Sequence, residues 1–493
     1  MNLPTAPGGF EVDVMELEVE VPPGKLLTYD LRSLASSLHI LDTACMAVET
    51  DGLTRALVTV YAAPPLDKLD PVRGEDLVMD DQGWLTVGRY HDGQPAQIRL
   101  YVPGSGAQRG ALFGTTGAGK SRALQLILAA EKRSGIVTWL ADLKGGQSVP
   151  EAAGQVDWRV TTQEGLLAML QAAVRVAEER MSRYAAMGRS SFLINRPDPL
   201  LSVRIDEANR ALEKGAPYRD KIAALIKELG RTGRSVGVGI SIAAQASHVD
   251  ELGGSDTLRG MLKEGDTILL RWSSSMMQSL VSDGLLPPGT HIVPIPKRTG
   301  PPVLRSRFAT VRPGAKVARG NTGGMAYLLG SDRPTAMMRF FPVGSMHEVE
   351  GLDPLILDLY GPGEPAHLEA TSHEAAGPAY LTRDGDGPAE LVAAAQEQTQ
   401  ALVEEATAEQ KASTSGRAPI AVRIMRALEE AAEAADGDDS EGAGALDFDE
   451  ILAAVNADGG KPVGAASVRN NLSVLSRSDR IAALGSGRYT LPA

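Results

Sequence analysis

The sequence predicts an α/β protein with a parallel sheet core, a β-rich N-terminal module and a C-terminal unit of three helices and a hairpin. From about residue 109, buried strand-like runs alternate with helical stretches, which is typical of a parallel sheet covered on both faces. Short alternating runs fill the first hundred residues, and amphipathic helices followed by a hairpin close the chain.

The N-terminal module, residues 1–84, is predicted from runs in which apolar and polar residues alternate. FEVDVMELEVEV and ALVTVYAA are such runs, and a helix is expected near Leu31–His39. WLTVGRY and AQIRLYV continue the alternating pattern up to residue 102. Residues 85–360 carry the core. Its predicted strands are GALFG, GIVTWLAD, LLSVRID and VGVGISIAAQ, and its helices are SRALQLILAAEKR, EGLLAMLQAAVRVAEERMSRYAAM and RDKIAALIKELGR.

The last two segments differ in composition. Residues 361–417 are low in hydrophobicity and rich in Gly, Pro and acidic residues, so we expect a flexible linker spanning roughly 40 Å. Residues 418–493 contain the helices IAVRIMRALEEAA, FDEILAAVN and SVRNNLSVLSRSDRI, then a hairpin turning at Gly485–Gly487. That order is typical of a winged helix-turn-helix domain.

The octet GTTGAGKS meets the whole G-x-x-x-x-G-K-[ST] pattern of a phosphate loop. A predicted strand precedes it and a helix follows, which is the context of a P-loop NTPase (RecA-like). Converging backbone N–H groups and the helix N-terminus suit the phosphates of ATP. Lys120 is expected to reach the β- and γ-phosphates, and the Ser121 hydroxyl to bind Mg²⁺. The whole predicted binding loop is Gly114, Thr115, Thr116, Gly117, Ala118, Gly119, Lys120 and Ser121.

Acidic and amide side chains follow two other predicted strands. Asp206 and Glu207 come directly after LLSVRI, where Asp206 suits Mg²⁺ and Glu207 suits the orientation of the attacking water. The alternative is an acidic pair that only caps a helix. Gln245 ends VGVGISIAA and can sense the γ-phosphate, or serve only as a turn residue.

Two further features of these strands are ambiguous. Asp142 and Lys144, in LADLKGG, follow a strand and either point into the shared crevice or form an ordinary turn. Arg204 is unusual inside a strand that is buried on both faces, and this leaves the strand order open.

Composition limits the class of protein. The chain has 493 residues, 43% of them hydrophobic, and a net charge of −13, so a surface coated in basic charge is excluded but a local basic surface is not. Its one cysteine, Cys45, excludes an intrachain disulfide and fits a reducing compartment. Without a basic N-terminal segment or a long apolar run, we expect a cytoplasmic protein. Any contact with a membrane is expected to be peripheral and to need an unidentified partner.

The order of motifs resembles a known family. Five motifs occur in the same order as in the FtsK/SpoIIIE double-stranded DNA translocases: GTTGAGKS, LADLKGG, EERMSRYAAMGRSSF, VRIDEA and GRSVGVGISIAAQ. Within that family, the chain most resembles the actinomycete TraB-type conjugal-transfer branch. Gly323–Val343 resembles the closing hairpin of that motor domain. The resemblance covers about Leu85–Val343 and, less specifically, Ile420–Ala493. It implies an ATP- and Mg²⁺-dependent motor that acts on duplex DNA as a homo-oligomeric ring, a hexamer.

The resemblance also assigns roles to single residues. Lys120, Ser121, Asp206 and Glu207 fall on the Walker A and Walker B positions, and Gln245 falls on the sensor glutamine.

Two arginines are candidates for a finger that acts on the neighbouring subunit. Arg234 falls where related ring motors supply one, and Arg271, in TILLRWSSS, is the second candidate. The chain departs from the family in having no predicted membrane anchor, in the insertion VLRSRFATVRPGAKVARG, and in an acidic stretch between the first two C-terminal helices. The first departure bears on membrane anchoring and the last on how the C-terminal domain docks.

Two basic regions suit contact with DNA. Residues 297–319 hold seven basic and no acidic residues, and they either contact phosphates or form a merely exposed loop. The predicted recognition helix and wing offer base-reading and phosphate-binding groups, although a domain serving only protein contacts is the alternative. The base-reading candidates are Arg469, Asn470 and Ser473, and the phosphate-binding candidates are Arg477 and Arg488.

Together these features predict an ATP-driven duplex DNA translocase of conjugal transfer, with site selection by the winged helix. The alternatives are a chromosome-segregation translocase, a single-strand coupling ATPase, a soluble P-loop kinase and a nucleotide-switched DNA-binding regulator. A kinase should need no DNA, and a switch should hydrolyse negligibly even when DNA is saturating.

Overall fold

The computed structural model describes twelve stretches of the chain, which divides into two compact units, Met1–Gln398 and Thr399–Ala493. None of the helices within these stretches is long and apolar enough to cross a membrane. The described residues are 14–69, 71–245, 264–271, 292–300, 320–330, 336–347, 349–383, 420–435, 445–457, 463–477, 481–484 and 488–490.

The N-terminal residues form an antiparallel three-stranded sheet and one short helix. The strands are β1 (Val14–Glu20), β2 (Met46–Thr50) and β3 (Arg55–Tyr61), in the order β1-β3-β2, and the helix is α1 (Leu31–Ser37). Asp30 caps α1 by accepting a hydrogen bond from the Ser33 amide at 2.7 Å. β1, β3 and α1 lie where the sequence predicts two strands and a helix, whereas β2 was not predicted. The N-terminal module and its boundary at residue 84 stay predictions.

A ten-stranded mixed sheet forms the centre of the first unit. Its strands are β4 (Trp84–Tyr90), β5 (Pro95–Arg99), β8 (Gly110–Phe113), β9 (Val137–Asp142), β10 (Trp158–Val160), β11 (Leu201–Asp206), β12 (Val238–Ala244), β13 (Asp266–Leu270), β14 (Met325–Leu329) and β15 (Met337–Phe340). Between β5 and β8 in the sequence, β6 (Tyr101–Val102) and β7 (Gly106–Ala107) form a separate antiparallel pair. The order is β10-β9-β11-β12-β8-β13-β14-β15-β4-β5. The six strands from β10 to β13 are parallel, and the other pairs are antiparallel.

Helices cover both faces of this sheet, as the alternating pattern predicts. They are α2 (Lys120–Arg133), α3 (Gln163–Ala186), α4 (Asn209–Leu212), α5 (Arg219–Thr232), α6 (Pro354–Tyr360), α7 (Ala370–Ala376) and α8 (Pro378–Leu381). Trp139 and Leu140 are neighbours in β9 but belong to different hydrophobic clusters, because successive strand residues point to opposite faces. The predicted α/β core with a parallel P-loop sheet is confirmed, and the predicted closing hairpin is the antiparallel pair β14–β15.

A buried ion pair explains the arginine inside β11. The Arg204 guanidinium donates to both carboxylate oxygens of Glu131 on α2, at 2.9 and 2.7 Å, and Thr138 donates to the same carboxylate at 3.1 Å. Removing one partner of such a pair would leave an uncompensated buried charge. The pair therefore fixes the helix that follows the phosphate loop against the strand that ends at Asp206.

The predicted linker begins too early. Residues 361–383 include α7 and α8 and pack against the core, where Tyr380 is fully buried beside Trp139 at a ring distance of 5.0 Å. Its hydroxyl donates to Asp157 at 2.7 Å, and Glu369 pairs with Arg180 at 2.9 Å. One aromatic side chain and several buried polar contacts hold this segment against the core. Because the segment is low in hydrophobic residues, the sequence predicted a flexible linker instead. Residues 384–417 lie outside the described residues.

Tyr380→Ala is expected to lower the free energy of unfolding by about 3–5 kcal/mol, because it removes a buried aromatic ring and leaves Asp157 short of a donor. Urea denaturation followed by circular dichroism measures the change. Leu381→Ala is the matched control, since Leu381 is the next residue and is exposed. Equal stabilities for the two variants would contradict the docking of residues 361–383.

Within its described residues, the C-terminal unit contains three helices and a small sheet. Its elements are α9 (Ile420–Ala434), β16 (Leu446–Asp447), α10 (Phe448–Asn456), α11 (Ala465–Arg477), β17 (Ala482–Leu484) and β18 (Arg488–Thr490), with the strands in the order β16-β18-β17. Asp447 and Glu450 form a reciprocal capping box at the start of α10. Leu428, Val455 and Leu472, one from each helix, share its core. The β17–β18 pair is antiparallel, as the predicted hairpin requires.

Candidate active site

The phosphate loop lies between β8 and α2 and is held by the ends of three other strands. The Gly114 amide donates to the Ala244 carbonyl at the end of β12, and the Thr115 amide donates to the Arg271 carbonyl after β13. Gly119 has φ +103°, and a Cβ there would lie 2.6 Å from the backbone nitrogen of Gly324. Only glycine fits this close approach. The loop shape thus depends on strand ends far away in the sequence.

Three predicted side chains meet beside this loop, at the carboxyl edge of the parallel strands. Lys120 Nζ donates to Asp206 Oδ1 at 2.6 Å and to Glu207 Oε1 at 3.0 Å. All three residues are buried. Gln245 Nε2, at the end of β12, donates to both oxygens of Glu207 at 3.2 Å. Four residues predicted separately from the sequence therefore form one hydrogen-bonded cluster.

Glu207 is held ionised within this cluster. Burial alone would raise the pKa of its carboxyl group, but the charge and hydrogen bond of Lys120, together with the Gln245 amide, outweigh burial and hold the pKa below its ordinary value. The residue has φ +54°, an uncommon backbone conformation for a residue with a side chain. A charged carboxylate in a constrained turn is suited to accept a proton or a hydrogen bond from water.

The oxygen atoms here fit a magnesium ion. Asp206 Oδ2 is buried and has no hydrogen-bond partner among the described residues, an arrangement that is costly unless a ligand satisfies it. The Ser121 hydroxyl, in the first turn of α2, is a further oxygen donor. Hard cations such as Mg²⁺ take oxygen ligands from one or two protein groups together with phosphates. Ser121 and Asp206 would hold the ion.

Asp142 lies beside Asp206 in the sheet but organises its own loop. It is fully buried, and its carboxylate accepts hydrogen bonds from the backbone amides of Lys144 at 3.1 Å and Ser148 at 3.0 Å. Lys144 is exposed. These contacts favour the ordinary-turn interpretation for Asp142 and leave Lys144 without an assigned role.

Arg271 contacts the phosphate loop of its own chain, and its role as a finger for a neighbour stays a prediction. Its guanidinium donates to the Thr116 carbonyl at 3.1 Å, and its carbonyl accepts from the Thr115 hydroxyl at 3.0 Å. The residue is buried. Arg271 therefore supports the loop in cis, a role that the sequence alone did not suggest.

Arg234 lies at the opposite end of the sheet from the phosphate loop. It is exposed in the turn Gly233–Val236, which precedes β12, and its guanidinium donates to the Ser105 hydroxyl. The seven residues of β12 separate it from Gln245 by roughly 20 Å. An arginine side chain cannot span that distance, so Arg234 can act on a phosphate loop only in another subunit.

The structure describes only part of the predicted DNA-contacting residues. Arg469 is exposed on α11, with its guanidinium 4.6 Å from the Phe448 ring centre, and Arg488 donates to the Ala445 carbonyl at 2.6 Å. The side chains of Asn470, Ser473 and Arg477 lie outside the described residues, as do residues 301–319 of the basic region and 436–444 of the acidic stretch.

No protein-family model and no curated protein matches this chain. Similar solved structures include the pCW3 conjugation coupling protein TcpA, monomer form with ATPγS, at 16% identity and a TM-score of 0.43, covering 66% of this chain and 85% of that chain. The cytoplasmic domain of the Thermomonospora curvata type VII secretion ATPase EccC has 19% identity and a TM-score of 0.41, covering 70% of this chain and 35% of that chain. EssC (ATPases 2 and 3) from Geobacillus thermodenitrificans has 15% identity and a TM-score of 0.41, covering 60% of this chain and 50% of that chain.

Proposed function

We propose that this protein is an ATPase that moves along double-stranded DNA as a homo-oligomeric ring, in the conjugal transfer of a plasmid or integrative element. The observation that carries the proposal is the cluster of Lys120, Asp206, Glu207 and Gln245 beside the GTTGAGKS loop. The ordered motifs that resemble the FtsK/SpoIIIE family support the DNA and transfer parts of the proposal.

The proposed reaction is phosphoryl transfer from ATP to water. Lys120 would exchange its two carboxylate partners for β- and γ-phosphate oxygens, and this exchange frees Glu207 to orient and polarise the attacking water. Gln245 donates hydrogen bonds to both oxygens of the Glu207 carboxylate and would hold its orientation. When bound, Mg²⁺ neutralises the charge on the phosphate oxygens.

The test of this function is the rate of ATP hydrolysis with and without duplex DNA, measured at several protein concentrations. A DNA-stimulated rate that rises more than proportionally with protein concentration is expected for an assembled ring. A rate that ignores DNA would favour a soluble kinase, and negligible hydrolysis with saturating DNA would favour a nucleotide-controlled switch.

We propose that the C-terminal unit is a winged helix that selects the DNA site. Its three helices, its β16–β18–β17 sheet and the exposed Arg469 on the third helix support this role. The first unit would instead grip any duplex through phosphate contacts, because residues 297–319 hold seven basic and no acidic residues.

Arg469→Ala is expected to flatten sequence preference at one base pair by about 1–3 kcal/mol, since arginine reads a guanine edge with two hydrogen bonds. Arg488→Ala, in the wing, should instead weaken binding to all sequences and reduce the salt dependence by about one unit. Selection from randomised duplexes and salt titrations measure both effects. Arg426→Ala is the charge-matched control, because Arg426 is exposed on α9. If deletion of the residues after 417 left site selection intact, this division of roles would be wrong.

A further inference from the structure

The Arg339 side chain, on β15, holds two other segments of the first unit together. Its Nη1 donates to the carbonyls of Leu66 at 2.6 Å and Asp67 at 2.8 Å, in the connection between β3 and β4. Nη2 donates to the Asn321 carbonyl at 2.8 Å, and Nε donates to the Gly323 carbonyl at 3.2 Å. Four of the five N–H groups of this planar fork therefore bind backbone oxygens. We call this set of contacts the Arg339 joint.

The segment held by the Arg339 joint contacts the phosphate loop directly. The Gly324 amide donates to the Ala118 carbonyl at 2.9 Å, and the Phe340 amide, next to Arg339, donates to the Gly324 carbonyl at 2.9 Å. The Ala118 carbonyl and the Gly119 amide belong to one planar peptide unit, so a contact that fixes the carbonyl also fixes the direction of the amide. The Gly119 amide is one of the backbone groups expected to bind phosphate. Residues outside the loop thus orient one of its binding groups.

Side chains fix the same segment to the N-terminal residues. The Thr299 hydroxyl donates to the Asp67 carboxylate, whose oxygens lie at 2.8 and 3.0 Å, and the Gly320 amide donates to Thr299 Oγ1 at 3.0 Å. The Gly300 amide donates to Asp42 Oδ2 at 2.7 Å. A Cβ at Gly320 would lie 2.3 Å from Asp67 Oδ2 and 2.4 Å from Thr299 Oγ1, so a side chain there would push these groups apart. The N-terminal residues therefore help to place the segment that contacts the phosphate loop.

We propose that Arg339 is a positioning residue for the phosphate loop, through which the N-terminal residues set the affinity for the phosphates of the nucleotide. The proposal rests on the proposed ATPase function and gives the N-terminal residues a part in it. Arg339 holds Gly323, the next residue holds the Ala118 carbonyl, and this carbonyl orients the Gly119 amide. Without Arg339, the loop would adopt its binding shape for only a fraction of the time, and the apparent affinity would fall by that fraction.

The experiment measures the binding of ATPγS and of inorganic tripolyphosphate, each with Mg²⁺, to the full chain by calorimetry, and the rate of hydrolysis over a range of ATP concentrations. Arg339→Met should weaken the binding of both ligands by the same factor, about tenfold, because both bind through phosphates. KM should rise similarly, whereas kcat should stay within about threefold of the wild type, since Lys120, Asp206 and Glu207 are unchanged. Arg339→Lys keeps the charge and some of the hydrogen bonds, so it should restore part of the affinity.

Gly320→Ala tests the N-terminal side of the joint without changing Arg339. It should weaken the binding of tripolyphosphate by about threefold or more, and its combination with Arg339→Met should lose less than the product of the two factors, because both changes release the same segment. Arg89→Met is the matched control. Arg89 lies opposite Arg339 in the β4–β15 pair, is exposed, and donates to the Gly93 carbonyl instead. This variant should bind both ligands like the wild type.

The number of ligands bound per chain separates this effect from a folding defect, because misfolded protein lowers that number and leaves the affinity of the folded remainder unchanged. If Arg339→Met does not fold, the affinity of Gly320→Ala decides the question. Wild-type affinity in the folded variants, or an equal loss in Arg89→Met, would overturn the inference while leaving the function of the phosphate loop intact. Failure of the wild type to bind tripolyphosphate would overturn the proposed function, and this inference with it.

Discussion

Glu207→Gln is expected to lower the rate of ATP hydrolysis by about 10²–10⁴-fold while ATP binding is retained. The loss is that of a group acting on the attacking water, for which such factors are typical. Binding should persist because Lys120, Ser121 and Asp206 are unchanged, and because glutamine can keep a hydrogen bond to Gln245. Phosphate release gives the rate, and equilibrium binding of labelled ATP gives the affinity.

Lys120→Ala should abolish hydrolysis too, but with a loss of ATP affinity. The lysine is the cation proposed to bind the phosphates, and its removal also leaves Asp206 and Glu207 buried side by side without their shared partner. Lys144→Ala, which removes an exposed lysine from a neighbouring strand end, is the control and should hydrolyse ATP normally. Near-normal turnover by either site variant would refute the ATPase assignment.

The parts of the site that could be predicted from the sequence are those encoded by a few neighbouring residues. The phosphate loop and the acidic pair could be predicted because a glycine pattern and a strand end are contained within a few residues. Gln245 could be placed because parallel strands end at one edge of a sheet. Their catalytic roles stay predictions, although the structure brings their side chains together.

Long-range contacts explain what the sequence could not predict. Arg271 contacts a loop residue 155 positions away, and Tyr380 meets an aspartate 223 positions away. No local pattern encodes either contact. The pairing of Arg204 with Glu131 was equally hidden, although an arginine among the apolar residues of a buried strand was a usable indication of a buried ion pair.

Arg234→Ala is expected to lower hydrolysis by about 10³–10⁵-fold in a homogeneous preparation, as loss of an arginine finger does. The residue lies roughly 20 Å from its own phosphate loop, so any effect of this size must come from the site of a neighbouring subunit. Arg271→Ala should also impair hydrolysis, because it loosens the loop within the same chain. The two variants are therefore indistinguishable when each is measured alone.

Mixing each variant with Lys120→Ala subunits separates the two roles. An Arg234→Ala subunit keeps an intact phosphate loop, and a Lys120→Ala neighbour can supply the missing arginine, so about a quarter of the head-to-tail interfaces in an equal mixture should be active. Arg271→Ala cannot be rescued in this way, since both subunits then carry a damaged loop. Rescue of Arg234→Ala but not of Arg271→Ala, in rings shown to be mixed by mass measurement, is the expected result. Absence of rescue for Arg234→Ala in such rings would remove it from the active site, and rescue of Arg271→Ala would show that this arginine acts between subunits despite its contact with Thr116.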